Sequence, residues 1–235
     1  MDKTIASLAE AVAPIGDGAT VMIGGFGGSG APIELIQALI DHGPKNLTVI
    51  NNNAGNGHVG LAALIEQGLV RKLICSFPRS ADPKVFTDLY LAGGIELELV
   101  PQGSLAERIR AGGAGIPAFY TPTGYGTQLA EGKKIEEFDG RPYVQERWLK
   151  ADFALIKGEL GDRYGNLTYR IAGRNFNPLM AMAAANTIAQ VSRIVPAGEI
   201  DPEAVITPGI FVQSVVQVAN PAQEEVLNRE EAVYP

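Results

Sequence analysis

The run Asp17-Gly18-Ala19-Thr20-Val21-Met22-Ile23-Gly24-Gly25-Phe26-Gly27-Gly28-Ser29-Gly30-Ala31-Pro32 joins an apolar strand to a helix through five glycines in seven residues. Val21, Met22 and Ile23 form an apolar run too short for a helix, and Leu35, Ile36, Leu39 and Ile40 then recur at helical spacing. This part of the chain is therefore committed to a strand–turn–helix unit. Glycines let the backbone turn sharply and let a ligand approach without a Cβ in the way. The helix end behind them would supply unpaired N–H groups and partial positive charge, which suits a phosphate-bearing ligand. Close helix–strand packing is the competing use of the same glycines.

The unit repeats. Apolar runs at 20–23, 47–50, 73–76 and 97–100 alternate with helical patterns at 5–12, 33–41, 59–67, 85–91 and 105–111. Short connections between them predict parallel strands with right-handed crossovers, hence an α/β fold: an open, mostly parallel layered sheet with helices on both faces. Such sheets bind ligands outside the carboxyl ends of their strands. The glycine loop, Asn51-Asn52-Asn53 and Pro101-Gln102-Gly103 each follow a strand, so one rim should collect all three. Residues 112–126, rich in Gly, Pro, Thr and Tyr, read as ordered loop, and the polar stretch 132–140 as a hairpin or excursion. Apolar runs follow at 153–156, 188–195 and 211–218, with an Ala/Met-rich helix around 179–185 and an acidic, solvated end at 224–231. No repeat or composition break divides the chain, so residues 1–235 are expected to form one domain.

Charge and residue usage narrow the function. A net charge of −7 with no basic stripe argues against nucleic-acid binding. The single cysteine, Cys75, excludes an internal disulfide and fits a reducing compartment. With two histidines, His42 and His58, no His-based metal cluster is available. No apolar run approaches the roughly 18 residues of a membrane span. Met1-Asp2-Lys3-Thr4 does not begin a signal peptide, so a cytoplasmic location is expected.

The glycine loop lacks the Gly-Lys-Ser/Thr of a nucleoside triphosphate loop. Residues 25–30 fit Gly-x-Gly-x-x-Gly, but Asn51-Asn52-Asn53 stand where a dinucleotide site needs an acid for the ribose. The three asparagines are either a turn or a set of neutral donors aimed at a polar substrate. Gln102 is either a turn or capping residue or an amide donor for a developing oxyanion. Cys75 sits in an apolar setting that suits core packing. Ser76 and Ser104 lie near the rim without a nucleophile-elbow sequence. Arg108 and Arg110 on a helix, and Arg170 and Arg174 around an irregular segment, are surface charges or forks for carboxylates and phosphates.

Together these segments resemble the A (α) half of the 3-oxoacid CoA-transferase family. The likeness runs through the opening glycine stretch, Asn52-Asn53-Ala54-Gly55, Pro101-Gln102-Gly103, 106–117, 121–127 and Arg174-Asn175-Phe176, and so covers nearly the whole chain. Residues 52–57, Cys75-Ser76-Phe77-Pro78-Arg79, 162–170 and 206–213 carry a closer likeness to bacterial members acting on 3-oxoadipate. The resemblance implies the family's open α/β fold, shared in outline with phosphosugar isomerases. It implies CoA transfer from succinyl-CoA to 3-oxoadipate, with acetoacetate or another short 3-oxoacid as the alternative acceptor. The CoA thioester is then a substrate, and no cofactor is permanently bound.

The resemblance also implies a covalent route, in which a glutamate carboxylate takes CoA as an enzyme thioester and passes it on. In the family that glutamate lies in a Glu-Asn-Gly or Glu-Ser-Gly motif of the B (β) half. This chain has neither; its nearest imitation is Glu131-Gly132-Lys133. The chain is therefore expected to work only with a β subunit that carries the catalytic glutamate, in an αβ or α2β2 assembly. By resemblance Gln102 serves the oxyanion, and Asn52 orients the substrate or the glutamyl thioester. Gly24, Gly25, Phe26, Gly27, Gly28, Ser29 and Gly30 form the CoA-binding segment. Arg79 and Arg174 are the arginines considered for a second acceptor carboxylate. The rival readings are a phosphosugar isomerase or deaminase, which would turn over without a partner, and a non-catalytic binding domain.

Overall fold

The computed structural model describes residues 2–79, 84–222 and 224–227. Helix α1 (Leu8–Val12) opens the fold. Then β1 (Thr20–Ile23), α2 (Ile33–His42), β2 (Leu47–Ile50), α3 (Gly60–Glu66), β3 (Val70–Cys75), α4 (Val85–Leu91) and β4 (Glu96–Leu99) alternate as the hydrophobic pattern requires. Helix α1 starts later than its apolar pattern because Ser7 caps it, accepting from Glu10 N at 3.1 Å. The residues ahead of it are extended, with Ile5 N bonded to Val215 O at 2.9 Å.

After β4 come α5 (Gln102–Ala114), β5 (Ala118–Thr121), β6 (Ile135–Phe138), β7 (Arg141–Arg147), β8 (Ala151–Asp162), α6 (Asn177–Ala183), β9 (Ala184–Val195), β10 (Ser214–Gln217) and α7 (Glu224–Leu227). Seven strands form one sheet in the order β10-β9-β8-β1-β2-β3-β4, and every pairing in it is parallel. From β1 to β4 the chain steps steadily one way; β8 returns to the other side of β1. That reversal makes the crevice beside β1 the place where an open sheet accepts a ligand.

Period-two alternation divides the core. Val21, Ile23, Val49, Leu73 and Cys75 face α1 to α4, whereas Met22, Ile50 and Ile74 face α5 and α6. Helices therefore cover both faces, as the alternation predicts. The stretch 132–140 is a hairpin: β6 and β7 pair antiparallel, and Asp139 and Gly140 both take positive φ, as a two-residue hairpin turn requires. Segment 112–126 is only partly loop. Its first residues finish α5, and Ala118–Thr121 pairs with β7 to complete a three-stranded sheet, β5-β7-β6. Phe119-Tyr120-Thr121 is a strand-forming run hidden among glycines and prolines.

Arg108 fastens this small sheet to the large one and is no solvated charge. Its side chain is 12% exposed, with Nη1 3.0 Å from Glu98 Oε1 and Nε donating to Arg147 O at 2.8 Å. Burial works to raise the Glu98 carboxyl, but hydrogen bonds from Lys72 and Arg108 outweigh it and hold that group below the usual glutamate range. Arg110, by contrast, lies exposed beside Glu107. Of the acidic end, residues 224–227 form α7, and 228–231 lie outside the described residues.

The turn after β1 is interlocked with the segment before α6. A Cβ on Gly24 would lie 1.8 Å from Asn177 Oδ1, and one on Gly30 would lie 2.5 Å from Gly173 O. We expect Gly24→Ala to destabilise the chain by about 1–3 kcal/mol in urea unfolding, because the buried amide has nowhere to go. Gly16→Ala is the control: a Cβ there meets nothing within 4 Å, and the expected change is under about 1 kcal/mol.

Candidate active site

The carboxyl ends of β2, β3 and β4 bring three polar side chains together. Asn52 is buried, and its Oδ1 accepts from Ser76 Oγ at 2.8 Å and from Gln102 Nε2 at 2.9 Å. Ser76 Oγ also lies 3.0 Å from Asn52 O. With the carbonyl oxygen doubly engaged, the Asn52 amide is oriented so that its Nδ2–H bonds point away from both donors. Gln102 is exposed and spends one of its two Nε2–H bonds on Asn52. The other two asparagines are structural. Asn51 Nδ2 donates to Ile23 O at 2.7 Å, tying the end of β2 to that of β1, and its Oδ1 accepts from Asn53 N. Asn53 Oδ1 in turn accepts from Gly55 N at 2.8 Å.

Gln102 is the first residue of α5 and not part of a free loop. The apolar periodicity of this helix starts at Leu105, which hides its polar first turn. Among the described residues the backbone N–H groups of Gln102, Gly103 and Ser104 have no acceptor, and the first intrahelical bond runs from Leu105 N to Pro101 O. A Cβ on Gly103 would meet nothing within 4 Å, so nothing in this chain demands glycine there. Beside Asn52 the rim is thus a concentration of N–H donors. Among the described residues no carboxylate hydrogen-bonds to Asn52, Ser76 or Gln102.

The glycine segment lies across the end of β1. Phe26 N bonds to Ser29 O at 3.0 Å and Ser29 N to Phe26 O at 3.1 Å, closing a turn with Gly27 and Gly28 at its tip. The N–H groups of Gly27 and Gly28 have no acceptor among the described residues. Gly25 takes φ +123, and Phe26 stands half-exposed. Two amides hold the segment from behind. Asn175 Nδ2 donates to Ser29 O at 2.9 Å; Asn177, fully buried, donates to Gly30 O at 3.1 Å and to Gly173 O at 2.8 Å. In the sequence Arg174-Asn175-Phe176 carries only a family likeness, and nothing local gives either amide a role.

The helix end behind the loop differs from the expectation. Leu35 N of α2 is already capped by Gln190 Oε1 at 3.1 Å, Ile36 N bonds to Pro32 O, and the Glu34 carboxylate occupies the first turn. The open donors belong to the glycine turn and to α5, not to α2. Beside the turn lies a cavity of about 820 Å³, bounded by Gly28, Ser29 and Gly30, by β8 and β9, and by residues 170–173. Arg170 lines it; Arg79 and Arg174 do not and are exposed.

The remaining candidates are structural. His42 Nε2 lies 3.0 Å from Ile15 O, and His58 pairs with Glu66 at 2.9 Å. Among the described residues no three metal-ligating side chains cluster. Glu131 is exposed in the excursion ahead of β6.

A family model for coenzyme A transferase matches residues 5–218. The chain belongs to the coenzyme A transferase family. It is 62% identical over 226 residues to the α chain of 3-oxoadipate CoA-transferase from Pseudomonas putida, covering 96% of this chain and 98% of that one. It is 47% identical to the α chain of succinyl-CoA:3-ketoacid coenzyme A transferase from Helicobacter pylori, covering 92% of each. An acyl-CoA transferase from E. coli O157:H7, solved as a thioester complex with CoA, superposes with a TM-score of 0.82 at 25% identity over 94% of this chain. This chain spans about half of that solved chain, 51%. Among the described residues, no helix is long and apolar enough to cross a membrane.

Cys75 is excluded as a nucleophile by its setting. Burial pushes its thiol up to about 12 against a weaker opposing hydrogen bond at Phe77, so it stays protonated and inert at neutral pH. A chromogenic disulfide reagent at pH 8 should titrate no thiol in the folded chain and one after denaturation.

Proposed function

We propose that this chain is the α half of a heteromeric CoA-transferase that moves CoA from succinyl-CoA to 3-oxoadipate, with the nucleophilic glutamate supplied by a β partner in an αβ or α2β2 assembly. One observation carries the reading: a preorganised rim of N–H donors that holds no nucleophile of its own. The 62% identity to a chain named for 3-oxoadipate CoA-transferase supports the acceptor. The name of the H. pylori relative keeps another 3-ketoacid as the alternative.

The partner's carboxylate attacks the thioester carbonyl, and negative charge collects on that oxygen. The unspent Nε2–H of Gln102 serves this oxyanion, and Asn52, held by Ser76 and Gln102, turns its Nδ2–H bonds toward the reacting group. Donors fixed before the reaction cost no reorganisation when charge develops, which is why such groups are effective. CoA leaves as thiolate and forms an acyl anhydride between succinate and the glutamate. The thiolate then attacks the glutamyl carbonyl of that anhydride, releasing succinate and leaving a glutamyl-CoA thioester. The acceptor carboxylate reverses the sequence, so the thioester's energy is kept without ATP. Residues 24–30 receive CoA, which enters and leaves as substrate; no resident cofactor is proposed. The reducing cytoplasm is the matching location.

The test is exchange between succinyl-CoA and 3-oxoadipate by the chain alone and with a partner bearing Glu-Asn-Gly or Glu-Ser-Gly. Exchange is expected only from the pair; turnover by this chain alone would contradict the proposal. In the assembled enzyme, Gln102→Ala should lower kcat by about 10²–10³, the usual effect of losing one oxyanion donor.

A further inference from the structure

We propose that Arg170 binds the distal carboxylate of the acyl group, inside the cavity beside the glycine turn. The inference rests on the CoA-transfer reading above and assigns a residue to its substrate selectivity.

Arg170 lines the roughly 820 Å³ cavity together with Gly28, Ser29, Gly30, Lys157 and Glu159. Among the described residues its guanidinium has no ion pair. The other charges of the cavity are engaged: Lys157 Nζ donates to Ala222 O at 3.1 Å, and Glu159 accepts from Ser192 Oγ at 3.4 Å. Two cations and one carboxylate leave the cavity one positive charge in excess, which suits a single anionic group. A guanidinium fork matches the two oxygens of a carboxylate.

The wall that carries Arg170 is held under strain. Ile171, the next residue, takes φ 48 and is 86% exposed. A β-branched residue in the left-handed region is a true outlier that costs on the order of 1–3 kcal/mol, and such positions survive where neighbours over-determine them and function uses them. Here the neighbours are Asn175 and Asn177, which tie residues 172 and 173 to the glycine turn. The wall is therefore built in place before any ligand arrives.

The scale agrees. Asn52 stands at the end of β2, and Lys157 on β8 lies beyond the end of β1, two strands away. Two strand spacings amount to about 10 Å. An extended six-carbon acid spans roughly 6 Å from five C–C bonds of about 1.5 Å, and the arginine side chain closes the remainder. A dicarboxylic acyl group can thus react at one carboxyl near Asn52 while the other meets Arg170. Succinyl and 3-oxoadipyl groups both carry that second carboxylate; acetoacetate does not.

The experiment uses the enzyme assembled with its partner and compares Arg170→Gln and Arg170→Lys with wild type. Arg170→Gln should raise KM for 3-oxoadipate about 10–100-fold, the loss of one charge-assisted pair. KM for acetoacetate and Kd for free CoA should stay within about twofold, and Arg170→Lys should recover part of the 3-oxoadipate loss. Equal effects on both acids, no effect on either, or weakened CoA binding would each overturn the assignment, the last by pointing to a CoA phosphate instead. Failure of the wild-type assembly to transfer CoA to any acid would instead overturn the functional reading, and this inference with it.

Discussion

One buried amide couples the two halves of this fold. Asn177 starts α6, yet its side chain fills the space that a Cβ on Gly24 would need, accepts from Lys157 N on β8 at 3.1 Å, and donates to Gly30 O and Gly173 O. Its polar atoms are thereby satisfied in a site with no solvent exposure, where an unpaired group would be costly. The turn after β1, the strand beside it and the wall before α6 are consequently one rigid body. The orientation of the glycine N–H groups, the cavity beside them and the placing of Arg170 all follow from that interlock.

A second amide network sets the chemistry a few strands away. Ser76 and Gln102 both spend a donor on Asn52 Oδ1. The arrangement fixes side chains from the ends of three strands without a charge among them. Neutral donors neither repel an approaching carboxylate nor neutralise it, so they can favour the more concentrated charge of a tetrahedral oxyanion. The cost is incompleteness, since nothing in the network can attack. Gln102 is exposed, and Gly103 has open space in place of a Cβ, as expected of a surface that receives groups from outside the chain.

The repeating strand–helix pattern makes most of the sheet legible, because periods of 2 and 3.6 are hard to confuse when four units recur. Strands 20–23 and 47–50 and helix 85–91 are found at the expected residues. What the pattern does not reveal depends on contacts between distant segments. Ala118–Thr121 is a strand only because β7 comes back to pair with it. Gln102 belongs to a helix whose first turn has no apolar residue to announce it. Asn175 and Asn177 act on a loop some 147 residues earlier in the chain, and no local pattern marks such a pairing. The helix end of α2 misleads for the same reason: its cap, Gln190, comes from β9.

An active site divided between two chains is the central claim, and the covalent intermediate tests that division directly. The assembled enzyme is incubated with succinyl-CoA in the absence of acceptor, and the intact mass of each chain is then measured. A CoA-sized adduct on the partner chain, with this chain unmodified, is the predicted result. An adduct on this chain would contradict the divided site.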